Sequence, residues 1–228
     1  MVAAVVPIKA FDSAKSRLAP RLNPAQRAAL ARASAGRVLA AVAATPGITL
    51  WIAVVEDEVS ADFARRHRFE VLLRPDVWGQ SAAVEAGFEL ARNRGAHTLL
   101  TLSADVPLAR SVDVAELLVG DGPVLVMASD RLGVGTNALR LSPAGAFRLH
   151  FGADSLRKHR QEAAEAKLPV RIVGNRRLRL DVDTADDLDA LEKSGPEGRR
   201  LIIDAGQLHL DATKVEREDS PGWASEAG

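Results

Sequence analysis

The chain has 228 residues, and neither cysteine nor tyrosine is among them. Without cysteine there is no disulfide, no thiolate metal site and no cysteine nucleophile, and a cytoplasmic setting suits the composition. Aromatic residues make up 4% of the chain, too few for a row of stacking platforms; Trp51 reads as core, Trp78 as loop and Trp223 as tail. Neither sign of charge is in excess, since 30 Lys and Arg balance 30 Asp and Glu. A broad nucleic-acid-binding face needs a basic surplus, so phosphate binding would have to come from a local cluster. The apolar start, Val2 to Ile8, is closed by Lys9 and is too short for a membrane span or a secretory signal. No G-x-G-x-x-G or Walker A loop occurs, the five His have no H-x-x-x-H spacing, and no serine nucleophile elbow is present.

What the chain does have is an alternation of short apolar runs with helical stretches. Hydrophobic residues account for 47%, which excludes general disorder and, at this length, suits one α/β domain with a sizeable core. Val2 to Ile8 predicts a strand buried on both faces. Asn23, Pro24 and Gln26 predict an N-cap, a first-turn proline and a capping box for a helix reaching about Ala44, ended by Thr45-Pro46-Gly47. Strands are expected over Ile48 to Val55, Phe69 to Leu73, His97 to Leu102, Pro123 to Ala128, Asn137 to Leu141, Val170 to Val173 and Leu178 to Val182. Helices are expected over Val59 to His67, Ser81 to Arg94, Val112 to Val119, Leu156 to Lys167 and, capped by Thr184, up to Lys193, with a short helix opening at Ser142-Pro143. This order predicts a mostly parallel, Rossmann-like sheet with helices on both faces. Ser194 to Gly198 reads as a linker, and the chain beyond it as an extension that is partly disordered.

Acidic residues follow two of the expected strands: Asp105 in Leu-Ser-Ala-Asp-Val-Pro, and Asp181 and Asp183 in Leu-Asp-Val-Asp-Thr. Open α/β sheets build their sites at strand ends, so these three carboxylates are candidates to converge on one divalent cation. Hard oxygen ligands suit Mg²⁺ or Mn²⁺; the plainer role of each is to cap a helix or turn. Lys9, Lys15 and Arg17 lie in the loop after the first strand, where three cations could neutralise a triphosphate and the charge on departing pyrophosphate. Lys15, Arg17 and Asp105 are therefore the candidate catalytic residues. Gly133, Gly135, Thr136 and Asn137 offer a turn with a hydroxyl and an amide. Gly152, Asp154 and Ser155 open a helix whose free N–H groups suit an anion, although a plain N-cap would use the same residues. Ser81, after Gly79-Gln80, is the candidate contact to base or ribose.

The ordered set Pro7-Ile8-Lys9, Ala14-Lys15-Ser16-Arg17-Leu18, Ser129-Asp130-Arg131 through Gly135-Thr136-Asn137-Ala138-Leu139, Phe151-Gly152-Ala153-Asp154-Ser155 with His159, and Asp181-Val182-Asp183-Thr184 resembles the 2-phospho-L-lactate or phosphoenolpyruvate guanylyltransferases of coenzyme F420 biosynthesis. The resemblance spans Val2 to Leu191, and one departure is Gln80-Ser81 where that family often has Leu-Asn. It implies a nucleotide-diphospho-sugar-transferase-like fold and a guanylyltransferase domain over 1–194, with 195–228 outside it. It implies GTP and a small phosphorylated acid as substrates, pyrophosphate as product and Mg²⁺ as cofactor. Carried over, Asp105, Asp181 and Asp183 hold the metal, Thr136, Gly152 and Ser155 bind the acid, and Lys9, Lys15, Arg17 and Ser81 face the nucleotide. Neither nucleic acid nor a membrane is expected as partner, and the oligomeric state stays open, a homodimer being one candidate. Two rivals remain: a cytidylyl- or molybdopterin-type nucleotidyltransferase of the same fold, and a non-catalytic GTP-binding protein.

Overall fold

The computed structural model describes residues 1–77 and 79–206; the expectations for Trp78, Trp223 and the disordered part of the extension lie outside the described residues. Seven strands form one sheet: β1 (Val2–Ile8), β2 (Ile48–Val55), β3 (Glu70–Leu73), β4 (Thr98–Leu102), β5 (Val124–Ser129), β6 (Thr136–Ser142) and β7 (Val170–Val173). Six helices follow the expected positions: α1 (Pro24–Ala43), α2 (Glu58–Arg66), α3 (Gln80–Asn93), α4 (Ser111–Leu118), α5 (Ser155–Glu165) and α6 (Ala185–Lys193). The Asn23 side chain accepts from Gln26 N at 2.9 Å while Gln26 Oε1 accepts from Asn23 N at 3.0 Å, the reciprocal cap that the local sequence encodes.

The strand order is β3-β2-β1-β4-β6-β5-β7. All neighbouring pairs run parallel except those of β6, which is antiparallel to both β4 and β5. The chain leaves β1 toward β2 and β3, then returns to lay β4 on the other side of β1. That reversal opens a crevice at the carboxyl ends of β1 and β4, where the basic loop and Asp105 emerge.

Both faces are covered, as the uninterrupted apolar strands require. Ala4, Val6 and Ile8 of β1 face Ala35, Val38 and Leu39 of α1, with α2 and α4 on the same side. Ala3 and Val5 face Val84, Phe88 and Ala91 of α3, and Ala163 of α5 joins that layer. A third cluster joins Leu18 and Leu30 to Leu180, Val182, Leu188 and Leu191. The linker expected over Ser194 to Gly198 is not one: residues 196–206 are helical, they add Leu201 and Ala205 to this cluster, and Glu197 pairs with Arg37 at 2.7 Å and with Arg110.

Two expected elements are absent. No helix opens at Ser142-Pro143; residues 143–151 are irregular. Their backbone is held by neighbours instead, Ala144 N by the His97 carbonyl at 2.8 Å and the Ala144 carbonyl by Arg92 Nε at 3.2 Å, while Phe147 and Leu149 sink into the core. Leu178 to Val182 is not a strand either. Leu178, Leu180 and Val182 are buried in alternation, as they would be in a strand, but β7 already occupies the position beside β5. An Asn175 turn, with Oδ1 accepting from Arg177 N at 2.9 Å and Leu178 N at 3.3 Å, directs the segment across the sheet end.

Candidate active site

The loop after β1 bends twice through short 3₁₀ turns, Phe11–Ser13 and Ser16–Leu18. Between them Lys15 sits at φ 58°, a left-handed conformation uncommon for a residue with a side chain. It turns the ammonium inward: Lys15 Nζ lies 3.1 Å from Asp183 Oδ1 and 3.5 Å from Asp105 Oδ2, with its side chain only 5% exposed. Burial opposes the charge on Lys15, but Asp105 and Asp183 outweigh it and raise its pKa above the ordinary lysine value. Burial likewise opposes the Asp105 carboxylate, yet the adjacent Lys15 ammonium and the Ser103 hydroxyl hold its pKa below the usual range.

Asp181 stands in a different field. Burial, then the charge of Asp105, and to a lesser degree that of Asp183, push its pKa up to about 6, against the stabilising amide of Asn137. Asn137 Nδ2 donates to Asp181 Oδ1 and to the Leu178 carbonyl, each at 3.1 Å. The acidic segments are also joined by backbone: Val182 N donates to the Asp105 carbonyl at 3.1 Å, and Ser103 N to the Asn137 carbonyl at 2.8 Å. Three carboxylates and one buried lysine are thus drawn together from opposite ends of the chain.

A cavity of about 270 Å³ opens beside them. Lys9, Lys15 and Arg17 line it with Asp105 and Asp183, and Glu56, Arg74, Val77, Gly79 and Gln80 line it as well. Ser81 is not among the lining residues. Its hydroxyl accepts from Phe151 N at 2.8 Å, tying the start of α3 to the loop before α5, and its side chain borders a second, separate hollow. At that helix start Gln80 lines the cavity and Ser81 does not. Glu56 was not anticipated. It follows β2 as Asp105 follows β4, so the same signal of an acid after an apolar run marks it, and its Oε2 accepts from Ala10 N at 3.1 Å.

Thr136, Gly152 and Ser155 are not among the residues that line this cavity; Thr136 precedes Asn137, which holds Asp181. Thr136 opens β6 beside Asn137, and Ser155 is the first residue of α5; both are buried. The N-cap is Asp154, at φ 58° and with no side-chain cap hydrogen bond, so Ser155 does not have the capping role that its position suggests. Gly152 has φ +107°, and a Cβ added there would meet no atom within 4 Å. It is needed for its backbone angle and not to admit a close neighbour. Leu156 N donates to the Val134 carbonyl at 3.0 Å, bringing the turn before β6 against the start of α5.

The fit of a divalent cation follows from these contacts. Among the described residues no group of three or more His, Asp or Glu side chains forms a ready-made metal cage. The Lys15 ammonium stands as a cation between Asp105 and Asp183, and the buried Asp105 Oδ1 has no hydrogen-bond partner among the described residues. All the acids are hard oxygen donors. That set fits an ion such as Mg²⁺, which commonly takes one or two carboxylates and completes its shell with phosphate oxygens.

Comparison with known proteins agrees with the geometry. Residues 2–199 match the family described as guanylyl transferase CofC like. The phosphoenolpyruvate guanylyltransferase of Rubrobacter xylanophilus is 39% identical over 196 residues, 85% of this chain and 95% of that protein. The 2-phospho-L-lactate guanylyltransferase of Methanothermobacter thermautotrophicus is 32% identical over 185 residues, 81% of each chain. Among solved structures, a protein from Desulfovibrio desulfuricans G20 described as a nucleotide-diphospho-sugar transferase superposes with a TM-score of 0.72 at 14% identity, over 90% of this chain and 97% of the other. That likeness shows the fold.

Proposed function

Because this chain belongs to the CofC-like guanylyl transferase family, we propose that it transfers GMP from GTP to the phosphate of a three-carbon acid in coenzyme F420 biosynthesis. Phosphoenolpyruvate is the first acceptor to test, since relatives at 36% to 39% identity carry that name, and 2-phospho-L-lactate is the second. The new bond joins an acceptor phosphate oxygen to the α-phosphorus. The bond between that phosphorus and the bridging oxygen breaks, and the electron pair leaves with pyrophosphate. The acceptor oxygen is already an anion at neutral pH, so no side chain has to remove a proton.

What remains for the protein is positioning and charge. Lys9, Lys15 and Arg17 face the triphosphate, and Thr136, Gly152 and Ser155 seat the acid. Asp105, Asp181 and Asp183 would hold Mg²⁺, which supplies positive charge to the phosphate oxygens. The observation that carries the reading is the buried Lys15 ammonium between Asp105 and Asp183 at the wall of the cavity. A cation kept dry among acids, at the switch point of an α/β sheet, suits polyanion chemistry better than a structural role. No described helix is long and apolar enough to cross a membrane. The substrates of the proposed reaction are small and soluble, and a cytoplasmic enzyme is the reading that suits them.

The test is a matrix of phosphoenolpyruvate, 2-phospho-L-lactate and 3-phospho-D-glycerate against GTP, ATP and CTP, with products identified by mass. A guanylylated acid and equimolar pyrophosphate are expected with GTP. Transfer from CTP in preference to GTP would favour the cytidylyl alternative. GTP binding with no product from any acid would leave a binding protein.

A further inference from the structure

His159 lies on α5 one turn beyond Ser155 and is 0% exposed. Its ring is held by the edges and faces of Phe151 and Phe147, at centroid distances of 5.0 Å and 6.1 Å. Both nitrogens are engaged: Nε2 accepts from the His150 main-chain N–H at 2.8 Å, and Nδ1 lies 3.1 Å from Thr136 Oγ1. The first contact settles the second. A main-chain N–H can only donate, so Nε2 must be bare. Burial first, and then His150, push the His159 pKa down to about 4, against a small opposing pull from Glu162, so the ring is neutral and its one proton is on Nδ1. Nδ1–H therefore donates to Thr136 Oγ1. The opposite tautomer would set two N–H donors against each other in a dry site, at a substantial cost.

A hydroxyl that accepts from a fixed donor keeps its own proton for another partner. Resting on the reading of Thr136 as part of the acid seat, we propose that His159 is a positioning residue that orients the Thr136 hydroxyl as a donor toward the anionic acceptor. His159 and Ser155 are four apart on α5 and share a face, so the oriented hydroxyl and the start of the helix address the same anion. The seat is thereby presented with donors already aimed, and little ordering is left for the moment of binding.

Two amide substitutions separate this role from mere packing. In His159→Gln the amide oxygen reaches the Nε2 position and satisfies His150 N–H, but nothing donates to Thr136. In His159→Asn the amide nitrogen sits near the Nδ1 position and donates to Thr136, while His150 N–H loses its partner. Steady-state kinetics with phosphoenolpyruvate and GTP varied in turn, and thermal unfolding of each variant, make the comparison. We expect His159→Gln to raise the KM for the acid about tenfold, the weight of one hydrogen bond to a charged group, with the KM for GTP nearly unchanged. His159→Asn should keep the acid KM within about threefold of wild type even if it melts lower. Adding His159→Gln to Thr136→Val should change the acid KM no further, because the two act through one hydroxyl. A wild-type acid KM in His159→Gln, equal rises in the Gln and Asn variants, or multiplicative effects in the double variant would each overturn the proposal. If Thr136→Val itself leaves the acid KM unchanged, the seat is misassigned and the role of His159 falls with it. If Thr136→Val raises the acid KM and His159→Gln does not, the seat stands and only the positioning role is lost.

Discussion

Asp181 carries a charge that the fold opposes. Its pKa rises from 3.8 to about 6 through burial and the neighbouring Asp105 and Asp183. The folded state therefore holds that proton more tightly than the unfolded chain does. The cost is fully present above pH 6 and fades as the pH falls from about 6 toward 3.8. Asp181→Asn should accordingly stabilise the protein by about 1–2 kcal/mol at pH 7.5 in a chelator, with no gain near pH 4, while turnover collapses. Thermal unfolding at the two pH values, beside a rate assay, reads all three outcomes; an unchanged melt at pH 7.5 would show that the repulsion is not felt. Asp105→Asn and Asp183→Asn should also remove most turnover. Unlike Asp181→Asn, they take away partners of buried Lys15, so they should not stabilise. Lys15→Ala and Arg17→Ala should raise the KM for GTP more than that for the acid, and a rise confined to the acid would put the basic loop at the other substrate.

His159 has the opposite sign over the same range. Its folded pKa, about 4, lies below the ordinary 6.5, so its contribution is complete above pH 6.5 and is lost as the pH falls toward 4. Between pH 6.5 and 5 that is about 2 kcal/mol, partly masked by the gain from Asp181. The clean measurement is urea unfolding at pH 7 and pH 5 in the Asp181→Asn background. Stability should fall on acidification there, and the fall should shrink when His159 is also replaced by Asn.

At the scale of elements, α3 shows how a helix is set by one small residue. A Cβ on Gly87 would collide with Val5 Cγ1 and stand 2.9 Å from Val54 Cγ2. Alanine is the better helix former by about 1 kcal/mol, but there is no room for it between α3 and strands β1 and β2. Gly87→Ala should destabilise by about 1–3 kcal/mol as α3 lifts from the sheet. The lift also moves Gly79 and Gln80, which border the cavity, so the KM for GTP should rise as well. Stability unchanged or improved in a chemical unfolding series would mean that the helix shifts without cost. The six helices α1 to α6 were legible, because caps and apolar periods are local; the absence of a helix at Ser142-Pro143 and the helix over 196–206 were not. The irregular course of Leu178 to Val182 was not, since its alternating burial matches a strand while its hydrogen bonds go to Asp105 and Asn137.

For the molecule as a whole, the third apolar cluster ties the site to the end of the described chain. Leu18 follows the basic loop and Val182 stands between two of the acids, and both pack in one cluster with Leu188, Leu191 and Leu201. Residues 196–206 are thus part of the support beneath the site. Leu201→Ala should cost about 2–4 kcal/mol and weaken substrate binding. Glu197→Ala, which removes partly exposed ion pairs to Arg37 and Arg110, should cost about 1 kcal/mol or less. Equal effects of the two in thermal unfolding would contradict the assignment of the support to the apolar contact.

The sequence alone determined the α/β class, nearly every strand and helix, and the loops in which Lys15 and the acids sit. Those features depend on short-range patterns: Asn23 with Gln26 for a cap, Val2 to Ile8 for a strand buried on both sides, Lys15 and Asp105 in the loops that follow strands. Only the tertiary structure decided what meets what. Lys15 reaches Asp183 across 168 residues because the segment after β7 crosses the sheet end and ties Val182 N to the Asp105 carbonyl, beside the loop that follows β1. Ser81 turns to Phe151 although its position pointed to a nucleotide, and His159 comes to face Thr136. Such pairings are set by the order of strands in the sheet and by which side chains fill the spaces between layers, and neither is written in the spacing of residues along one segment.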